Sequence, residues 1–245
     1  MRSSYSTHLK TGEAHVWALP LDPSPGHEFA EFLLDQEEQT RLARLKHPAV
    51  ARRFTLAHAG LRLLLSHYSG RPCAIVRYCH GDHGKPELTP LSPIHFNLSH
   101  SSDLALIAVS LQPVGVDLEY IDSNIPFESM ATRYFSSIES RVLNSLPEPL
   151  QLQSFYACWT RKEAYLKASG SGFSLSCNCF DVSLAPGEQP ALLQHTLDKD
   201  QPLHWRIYDL SLPSGFQGSV ATTKTTSDIR QYSGVWGSPP LSFHP

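Results

Sequence analysis

Long helical stretches alternating with short extended runs are the sequence feature that most limits how this chain folds. Residues 28–46 have the spacing of a helix. Pro48 is predicted to begin a second helix, in which apolar residues recur at i, i+3, i+4 and i+7. Gly70 is predicted to end that helix. Residues 127–146 and 151–172 are also predicted to be helical. The predicted strands are short and cover residues 14–21, 73–80, 93–101, 103–110, 114–120, 177–185, 203–210 and 218–224.

This pattern gives each half of the chain a long helix and several strands, and it predicts an α+β fold. We expect two similar-sized lobes, residues 1–112 and 113–227, followed by a tail over residues 228–245. Ser136 and Glu139 match a capping box, so the helical stretch around them should break and restart there. The 245 residues, of which 41% are hydrophobic, suffice for one sizeable core or two small ones.

The charge is unevenly distributed along the chain. The net charge is −3, but residues 41–85 carry nine basic residues against one acidic residue, which leaves −11 for the remainder. The net charge argues against nucleic acid as a partner of the whole protein. The basic segment is expected to face a small anionic ligand or an acidic protein.

The five cysteines predict reduced thiols in the cytoplasm. Their number is odd, no CxxC pair occurs, and Cys177 and Cys179, which alternate along a predicted strand, lack partners at metal-ligand spacing. The N-terminal residues contain no apolar leader segment, and the longest apolar run, residues 104–109, is too short to span a bilayer. We therefore expect a cytoplasmic protein without a membrane partner.

Two carboxylates share one face of the predicted strand over residues 114–120. Because side chains at i and i+2 point to the same side, Asp117 and Glu119 project together, while Val116 and Leu118 alternate with them. We expect the carboxylate face to be wet, since unpaired carboxylates on a dry face would be very costly. Paired oxygen ligands of this kind suit Mg²⁺, and a solvated strand edge is the alternative interpretation.

Glu163 and Lys167 lie one turn apart near the end of the helix over residues 151–172. An ion pair in this orientation is worth only a few tenths of a kcal/mol, and in isolation it is the simpler explanation. The glycines that follow allow either a close ligand approach or a helix cap. The helix face that carries Glu163 and Lys167 also carries Tyr156 and Thr160. The opposite face carries Phe155, Trp159 and Leu166 and is expected to pack in the core.

A lysine-containing turn and a polar bend precede the carboxylate strand. Lys85 lies in the turn GKP, and His100 lies between Ser99 and Ser101 at the end of a predicted strand. Several hydrogen-bond donors in a tight bend suit phosphate oxygens. A serine hydrolase is disfavoured because the sequence has no GxSxG elbow.

The order and spacing of GKPEL, FNLSHS, VGVDLE and FYACWTRKEAYLKASGSG resemble the signature of the 4′-phosphopantetheinyl transferase superfamily, in particular its large Sfp-type members. The resemblance covers roughly residues 84–173. It is looser over residues 35–65, which match only as a basic helical pattern. It implies a monomer of two α/β lobes related by pseudo-twofold symmetry, each a small, mainly antiparallel sheet packed on a long helix.

The resemblance implies a role for each matching residue. Asp117, Glu119 and Glu163 are expected to bind Mg²⁺, with Mn²⁺ as an alternative, and Glu163 is the candidate base for the acceptor serine. Lys167 is expected to contact a coenzyme A phosphate and to take part in catalysis. Further cofactor contacts are expected from Lys85, Ser99, His100 and Lys162, and more loosely from the basic residues Arg41, Arg44, Arg52 and Arg53.

The implied reaction transfers 4′-phosphopantetheine from coenzyme A to a serine of an acidic carrier protein and releases adenosine 3′,5′-bisphosphate. The carrier would belong to fatty acid, polyketide or peptide synthesis. Two other classes of function stay open from the residues alone. One is a Mg²⁺-dependent hydrolase of a small nucleotide, and the other is a non-catalytic module that binds coenzyme A.

Overall fold

The computed structural model describes residues 8–22, 27–81, 84–89, 92–172, 175–236 and 241–244 of the chain. Within these ranges the helices are α1 (Gln36–Leu42), α2 (Pro48–Ser69), α3 (Phe127–Tyr134), α4 (Ser137–Ser145), α5 (Glu148–Ser169) and α6 (Gln201–His204). The strands are β1 (Glu13–Pro20), β2 (Arg77–His80), β3 (Pro86–Thr89), β4 (His95–Ser101), β5 (Leu104–Ser110), β6 (Val114–Tyr120), β7 (Phe180–Val182), β8 (Leu192–His195), β9 (Trp205–Asp209), β10 (Phe216–Thr223), β11 (Asp228–Trp236) and β12 (Leu241–His244).

The larger sheet has five strands in the order β12-β11-β1-β5-β4. Neighbouring strands in this sheet run antiparallel, except for β1 and β11, which run parallel. The 22-residue helix α2 covers one face of this sheet. Their apolar side chains interlock in one core that includes Trp17, Phe54, Leu64, Phe96 and Ile107.

The second sheet has three antiparallel strands in the order β6-β10-β9, and the 22-residue helix α5 packs on it. Its core includes Phe155, Tyr165, Phe180, Ile207 and Ala221. Two small hairpins, β2-β3 and β7-β8, complete the described sheets. The observed α+β class agrees with the sequence prediction.

The two sheets meet through a third apolar cluster. Leu106 and Ala108 of β5 pack in this cluster with Val116 of β6 and Val220 of β10, and all four side chains are buried. This contact brings β4, at the edge of the larger sheet, beside β6, at the edge of the smaller one. Four of the predicted site residues belong to the two edge strands that meet at this seam, Ser99 and His100 to β4 and Asp117 and Glu119 to β6.

Several predicted helix boundaries are confirmed. Pro48 is the first residue of α2, and Gly70 ends it in the left-handed conformation with φ of 65°. Ser136 and Glu139 form a reciprocal capping box that starts α4 after the predicted break. The helix that carries Glu163 begins slightly earlier than predicted, at Glu148.

Other secondary-structure predictions were wrong. The predicted helix over residues 28–46 is two 3₁₀ turns, His27–Phe29 and Glu31–Leu33, followed by the short helix α1. Asp35 and Glu38 form a capping box, so the chain starts a new helix there instead of continuing one. The predicted strands at residues 73–80 and 177–185 each begin with a 3₁₀ turn, so Cys177 and Cys179 do not alternate along a strand.

Two strands within the predicted tail, β11 and β12, are part of the larger sheet. Strand β11 pairs with β1 from Asp228 opposite Glu13 to Ser233 opposite Ala18. Tyr232 stacks on the buried Trp17, with ring centroids 4.5 Å apart. In the part of the chain that the structure describes, no helix combines the length and the apolar character that a membrane crossing requires.

Candidate active site

Gly115 allows β6 to lie directly against the last turns of α5. A Cβ atom at this position would lie 2.2 Å from the backbone nitrogen of Ala168 and 2.3 Å from the carbonyl oxygen of Ala164. Only glycine permits this approach, since distances below about 3 Å between non-bonded heavy atoms are strongly repulsive. The contact puts Asp117 of β6 within reach of Lys167 on α5.

Asp117 is buried and held by two donors. Its Oδ1 accepts hydrogen bonds from Lys167 Nζ at 2.5 Å and from Ser99 Oγ at 3.1 Å. Burial raises the pKa of the Asp117 carboxyl, and the Lys167 ammonium opposes that shift. The side chain is part of a residue only 4% exposed, so the prediction of a wet carboxylate face is wrong for Asp117. Strand β4 covers that face.

The other two acidic residues of the predicted site are half-buried. Glu119 Oε2 accepts a hydrogen bond from Ser101 Oγ at 3.1 Å. Glu163 lines the wall of a cleft beside α5. Burial raises the pKa of both carboxyls, and the nearby charge of Asp117 raises them further. Asp117 therefore repels both of the other carboxylates, and a cation would relieve that repulsion.

The arrangement of the three carboxylates bears on whether they could hold a divalent ion. Among the described residues, no three side chains of the ligating types are arranged around one common point. Lys167 instead neutralises Asp117 through Oδ1, while the buried Asp117 Oδ2 has no hydrogen-bond partner in the described chain. One free carboxylate oxygen, with the Glu119 and Glu163 carboxylates close by, is a donor set of the hard type that Mg²⁺ and Mn²⁺ prefer. The donor chemistry therefore fits such an ion.

Lys85 ties the GKP turn to the second sheet. Its Nζ donates to the carbonyl oxygens of Val114, at 3.0 Å, and of Ala168, at 3.2 Å. Burial lowers the pKa of Lys85 to about 8. The structure brings Lys85 to the same cleft as Glu163 and Lys167.

The cleft beside α5 has a volume of about 560 Å³, and we call it the α5 cleft. Its wall is mostly aromatic and aliphatic, with a few charged groups. Trp159 and Tyr134 meet edge to face there, with ring centroids 5.4 Å apart. Trp159 is only partly buried: it packs against the core of the second half and also lines the cleft. Leu166 is buried in that core, as expected, and also lines the cleft. Phe155 is in the core as expected.

A second cavity of about 450 Å³ adjoins the α5 cleft, and we call it the His100 cavity. The two share Gly84, Pro86 and Asn97 as wall residues. Burial lowers the pKa of His100, and neighbouring cationic groups lower it further, among them Lys167 and the guanidinium groups of two arginines. These cationic groups lie close to His100 itself. The wall of the His100 cavity includes Arg41, Phe54, His58, Tyr78, Ser99 and His100, and it also carries the carboxylates of Asp35, Glu37 and Glu38.

The remaining predicted basic residues are placed differently from one another. Arg53 lies near the polar bend, where its Nε donates to Asp103 Oδ1 at 2.8 Å, and Arg52 approaches the same carboxylate at 3.9 Å. Arg41 lines the His100 cavity. Arg44 is exposed just beyond α1 and belongs to the described walls of neither cavity.

Lys162 points away from the α5 cleft into the core of the second half. It is 1% exposed, and its Nζ lies 2.8 Å from Glu139 Oε1. The same group donates to the carbonyl oxygens of Cys177 and Phe180. These three partners use the capacity of an ammonium group. The placement does not support the expected contact between Lys162 and a cofactor, and it assigns Lys162 to holding α5, α4 and β7 together.

Several residues of the site were missed by sequence reasoning. Asn97 lines both cavities, and Tyr78 and His58 line the His100 cavity. Asn97 precedes Ser99 by two residues on β4, so the period of a strand was a signal that it faces the same way. Tyr78 and His58 come from β2 and α2, and no local pattern connects them with the site.

Comparisons with known proteins identify the family to which the chain is similar. The model of the 4′-phosphopantetheinyl transferase superfamily matches residues 113–223. The 4′-phosphopantetheinyl transferase HetI of Nostoc sp. is 38% identical over 191 residues, which are 76% of this chain and 80% of HetI. The 4′-phosphopantetheinyl transferase psf-1 of Bacillus pumilus is 31% identical over 209 residues, 84% of this chain and 87% of psf-1. The 4′-phosphopantetheinyl transferase Sfp of Bacillus subtilis is 29% identical over 191 residues, 78% of this chain and 83% of Sfp.

The chain therefore belongs to the 4′-phosphopantetheinyl transferase superfamily.

Proposed function

We propose that this transferase moves 4′-phosphopantetheine from coenzyme A to a serine hydroxyl of an apo carrier protein, and that the α5 cleft is where the transfer occurs. The observation that carries the proposal is the position of Lys167. Its ammonium contacts Asp117 and Ser99, from the two sheets, in the cleft that Glu163 also lines. Cationic and acidic groups thus meet in the α5 cleft, next to the cavity where cationic groups lie close to His100.

The nucleotide end of coenzyme A is assigned to the His100 cavity. Aromatic side chains in its wall suit an adenine ring, and Arg41 and His100 suit the 3′-phosphate. Arg53 of α2, which pairs with Asp103 beside the polar bend, adds positive charge near His100. The pyrophosphate would then lie near the shared wall, where Lys85 and Lys167 supply ammonium groups.

Asp117, Glu119 and Glu163 are the residues that would hold Mg²⁺, with Mn²⁺ as the alternative. Such an ion supplies positive charge that the pyrophosphate and the three carboxylates both need. Asp117 Oδ2 supports the assignment because it is buried without a partner in the described chain. With such an ion on the carboxylates, Asp117 would no longer need Lys167 as its counter-charge, and the Lys167 ammonium would be available to a phosphate oxygen.

Glu163 is assigned as the base, acting directly or through one water. The serine Oγ forms a bond to the phosphorus that carries pantetheine, and its proton goes to the Glu163 carboxylate. The bond from that phosphorus to the oxygen of the adenosine phosphate breaks, and adenosine 3′,5′-bisphosphate leaves. A carboxyl whose pKa is raised by burial and by Asp117 is a better proton acceptor than an exposed one. Lys167 stabilises the charge on the transferred phosphoryl group.

The carrier is proposed to be an acidic protein domain. Support comes from the exposed basic side chains of Arg41, Arg44 and Lys46 at the end of α1 and just after it. The same region borders the His100 cavity, so the charges serve both substrates. The proposal includes that the protein is a monomer in the cytoplasm. The five free thiols support the cytoplasmic location.

The proposal includes a pseudo-twofold relation between two lobes that meet near residue 112. Each half has a 22-residue helix, α2 or α5. Each helix ends at a left-handed glycine, Gly70 with φ of 65° and Gly170 with φ of 70°. Strand β11 returns to the first half, so the last strands are assigned to the N-terminal lobe.

Mass spectrometry of an apo carrier protein tests the reaction. Incubation with coenzyme A, Mg²⁺ and this protein should add one 4′-phosphopantetheine per carrier serine. Glu163→Gln should slow loading at least about 100-fold while coenzyme A still binds. Glu148→Gln, an exposed position at the start of the same helix, is the matched control and should load normally.

Two outcomes would contradict the proposal. Consumption of coenzyme A with release of free phosphopantetheine and no labelled carrier would favour a hydrolase. Binding of coenzyme A without turnover, across several carriers and unchanged in Glu163→Gln, would favour a non-catalytic binding module.

A further inference from the structure

The edge strands β4 and β6 lie side by side but belong to different sheets. The backbone N–H groups of β6 that face β4 donate to side chains instead of to carbonyl groups. Val116 N–H donates to Asn97 Oδ1 at 2.8 Å, Leu118 N–H to Ser99 Oγ at 3.3 Å, and Tyr120 N–H to Ser101 Oγ at 3.0 Å. Alternate side chains of β4 thus accept hydrogen bonds from the backbone amides of alternate residues of β6.

Carbonyl groups on the same edge of β6 are also satisfied by side chains. Lys85 Nζ donates to Val114 O, and Lys167 Nζ donates to Val116 O at 3.3 Å. Without these side chains, the buried edge of β6 would keep unpaired donors and acceptors, and each of them would cost about 1–3 kcal/mol of stability. Side chains of β4, the GKP turn and α5 therefore set the register of β6.

The two serine hydroxyls each have a second partner, and that partner is a carboxylate. Ser99 Oγ donates to Asp117 Oδ1 at 3.1 Å, and Ser101 Oγ donates to Glu119 Oε2 at 3.1 Å. A hydroxyl has one donor and two acceptor sites. Since each serine also accepts a β6 amide, its only proton must go to the carboxylate. The bond direction is therefore fixed, and it turns each carboxylate oxygen toward β4.

We propose that Asn97, Ser99 and Ser101 form a side-chain ladder that fixes β6 against β4, and that Ser101 is a positioning residue for Glu119. The ladder orients the two β6 carboxylates beside the α5 cleft and keeps them one strand repeat apart. The role of Ser101 rests on the proposed function, because Glu119 is there assigned as a metal ligand. Ser101 is the best member to test, since it belongs to the described walls of neither cavity.

Two measurements on Ser101→Ala test the ladder. Isothermal titration with Mn²⁺ alone should show about tenfold weaker binding, which is the usual effect of removing a hydrogen bond to a metal ligand. Hydrogen exchange followed by NMR should show about tenfold faster exchange at the Tyr120 amide. Coenzyme A binding measured without metal should stay within about twofold, and Ser101→Thr, which keeps the hydroxyl, should restore both properties.

Ser110→Ala is the matched control. Ser110 Oγ also accepts a backbone amide, from Gln112 at 3.1 Å, and donates to an oxygen, Glu13 O at 3.1 Å, but it lies at the far end of β5. It should leave Mn²⁺ affinity and Tyr120 exchange unchanged. A merely structural Ser101 would lower stability without changing Mn²⁺ affinity.

Two results would overturn the proposal. Unchanged exchange at Tyr120 in Ser101→Ala would show that the ladder does not hold β6. Faster exchange with unchanged Mn²⁺ affinity would show that Ser101 does not position Glu119. A wild-type protein that binds no Mn²⁺ would instead contradict the proposed metal ligands, and the exchange measurement would still decide whether the ladder exists.

Discussion

Lys167 and Lys85 reach the α5 cleft from the two halves of the chain. The immediate contacts of each ammonium group determine how its charge is balanced. Lys167 pairs with the buried Asp117, so the free protein neutralises that carboxylate with its own side chain. Lys85 donates to two carbonyl groups, and among the described residues no carboxylate accepts a hydrogen bond from it. The first lysine therefore competes with any other cation, and the second carries a destabilised positive charge.

The competition at Asp117 gives a prediction for Lys167→Met. Without the ammonium, Mn²⁺ should bind the free protein about tenfold more tightly at pH 8, equivalent to about 1.4 kcal/mol. Coenzyme A measured without metal should bind about tenfold more weakly, because a phosphate contact is lost. Isothermal titration measures both. Lys224→Met, an exposed position, should change neither, and weaker Mn²⁺ binding in Lys167→Met would show that Lys167 does not compete.

The lowered pKa of Lys85 predicts proton uptake when coenzyme A binds. At pH 8 about half of the Lys85 side chains are neutral, and a nearby phosphate favours the charged form, so binding should take up a proton. Titrations in buffers of different ionisation enthalpy measure this uptake, and Lys85→Met should abolish it. Uptake that persists in Lys85→Met would assign the proton to another group.

The same shift has a consequence for stability, with a definite sign. The pKa of Lys85 falls from 10.5 to about 8 on folding, so between these values the unfolded chain binds more protons. Stability should therefore rise with pH across this window and be lowest below pH 8. Denaturant unfolding of the wild type and Lys85→Met at pH 7 and pH 9.5 measures the difference, and an equal pH dependence in both would contradict it.

At the scale of elements, the contact of β6 with α5 places the acidic and basic groups of the site. Both elements are regular, and their close approach depends on one glycine. Because the atoms nearest to Gly115 belong to the α5 backbone, a larger residue cannot be accommodated by a side-chain rotation. The whole helix would have to move away from the strand, and Lys167 would move with it.

Gly115→Ala should therefore reduce both stability and coenzyme A binding. We expect a loss of about 3 kcal/mol in the free energy of unfolding, at the upper end of the usual cost of overpacking. Gly60→Ala is the matched control: its Cβ would lie 2.2 Å from Leu19 Cδ2, the flexible end of a side chain. It should cost clearly less, since the leucine can adjust and alanine favours the helix. Denaturant unfolding compares the two, and equal losses would refute the backbone argument.

At the scale of the whole molecule, the two halves are interlocked by the chain path. The larger sheet contains β1, from the start of the described chain, and β11, which follows the second half. The apolar cluster around Leu106 and Val220 joins the sheets face to face. The first half therefore has no complete sheet without β11 from the end of the sequence, and the two halves share the apolar cluster that joins their sheets.

Removal of residues 228–245 should abolish cooperative folding. The truncation takes away β11, the Tyr232 ring on Trp17, and the ion pair of Arg230 with the buried Glu13. Removal of residues 237–245 alone keeps these contacts and is the control. Circular dichroism on heating measures the transition, and a truncated chain that melts as the control does would contradict the interlocked arrangement.

Much of the local structure was predicted from the sequence because its causes are local. The capping box at Ser136, the start of α2 at Pro48 and the stop at Gly70 depend on neighbouring residues. The helix over residues 28–46 was predicted wrongly because apolar spacing continues through Asp35, although that residue starts a new helix. Strand β11 was left without a structure because its pairing partner is β1, more than two hundred residues away.

The sequence by itself determined which side chains are chemically able to serve the site: Asp117, Glu119, Glu163 and Lys167 stand at spacings that strand and helix periods preserve. Tertiary structure decided their surroundings, burying Asp117 under β4, putting Trp159 into a cleft and turning Lys162 into the core. The physical reason is that periodicity fixes which residues share a face. What covers that face, and so its dielectric and its partners, depends on segments distant in the chain.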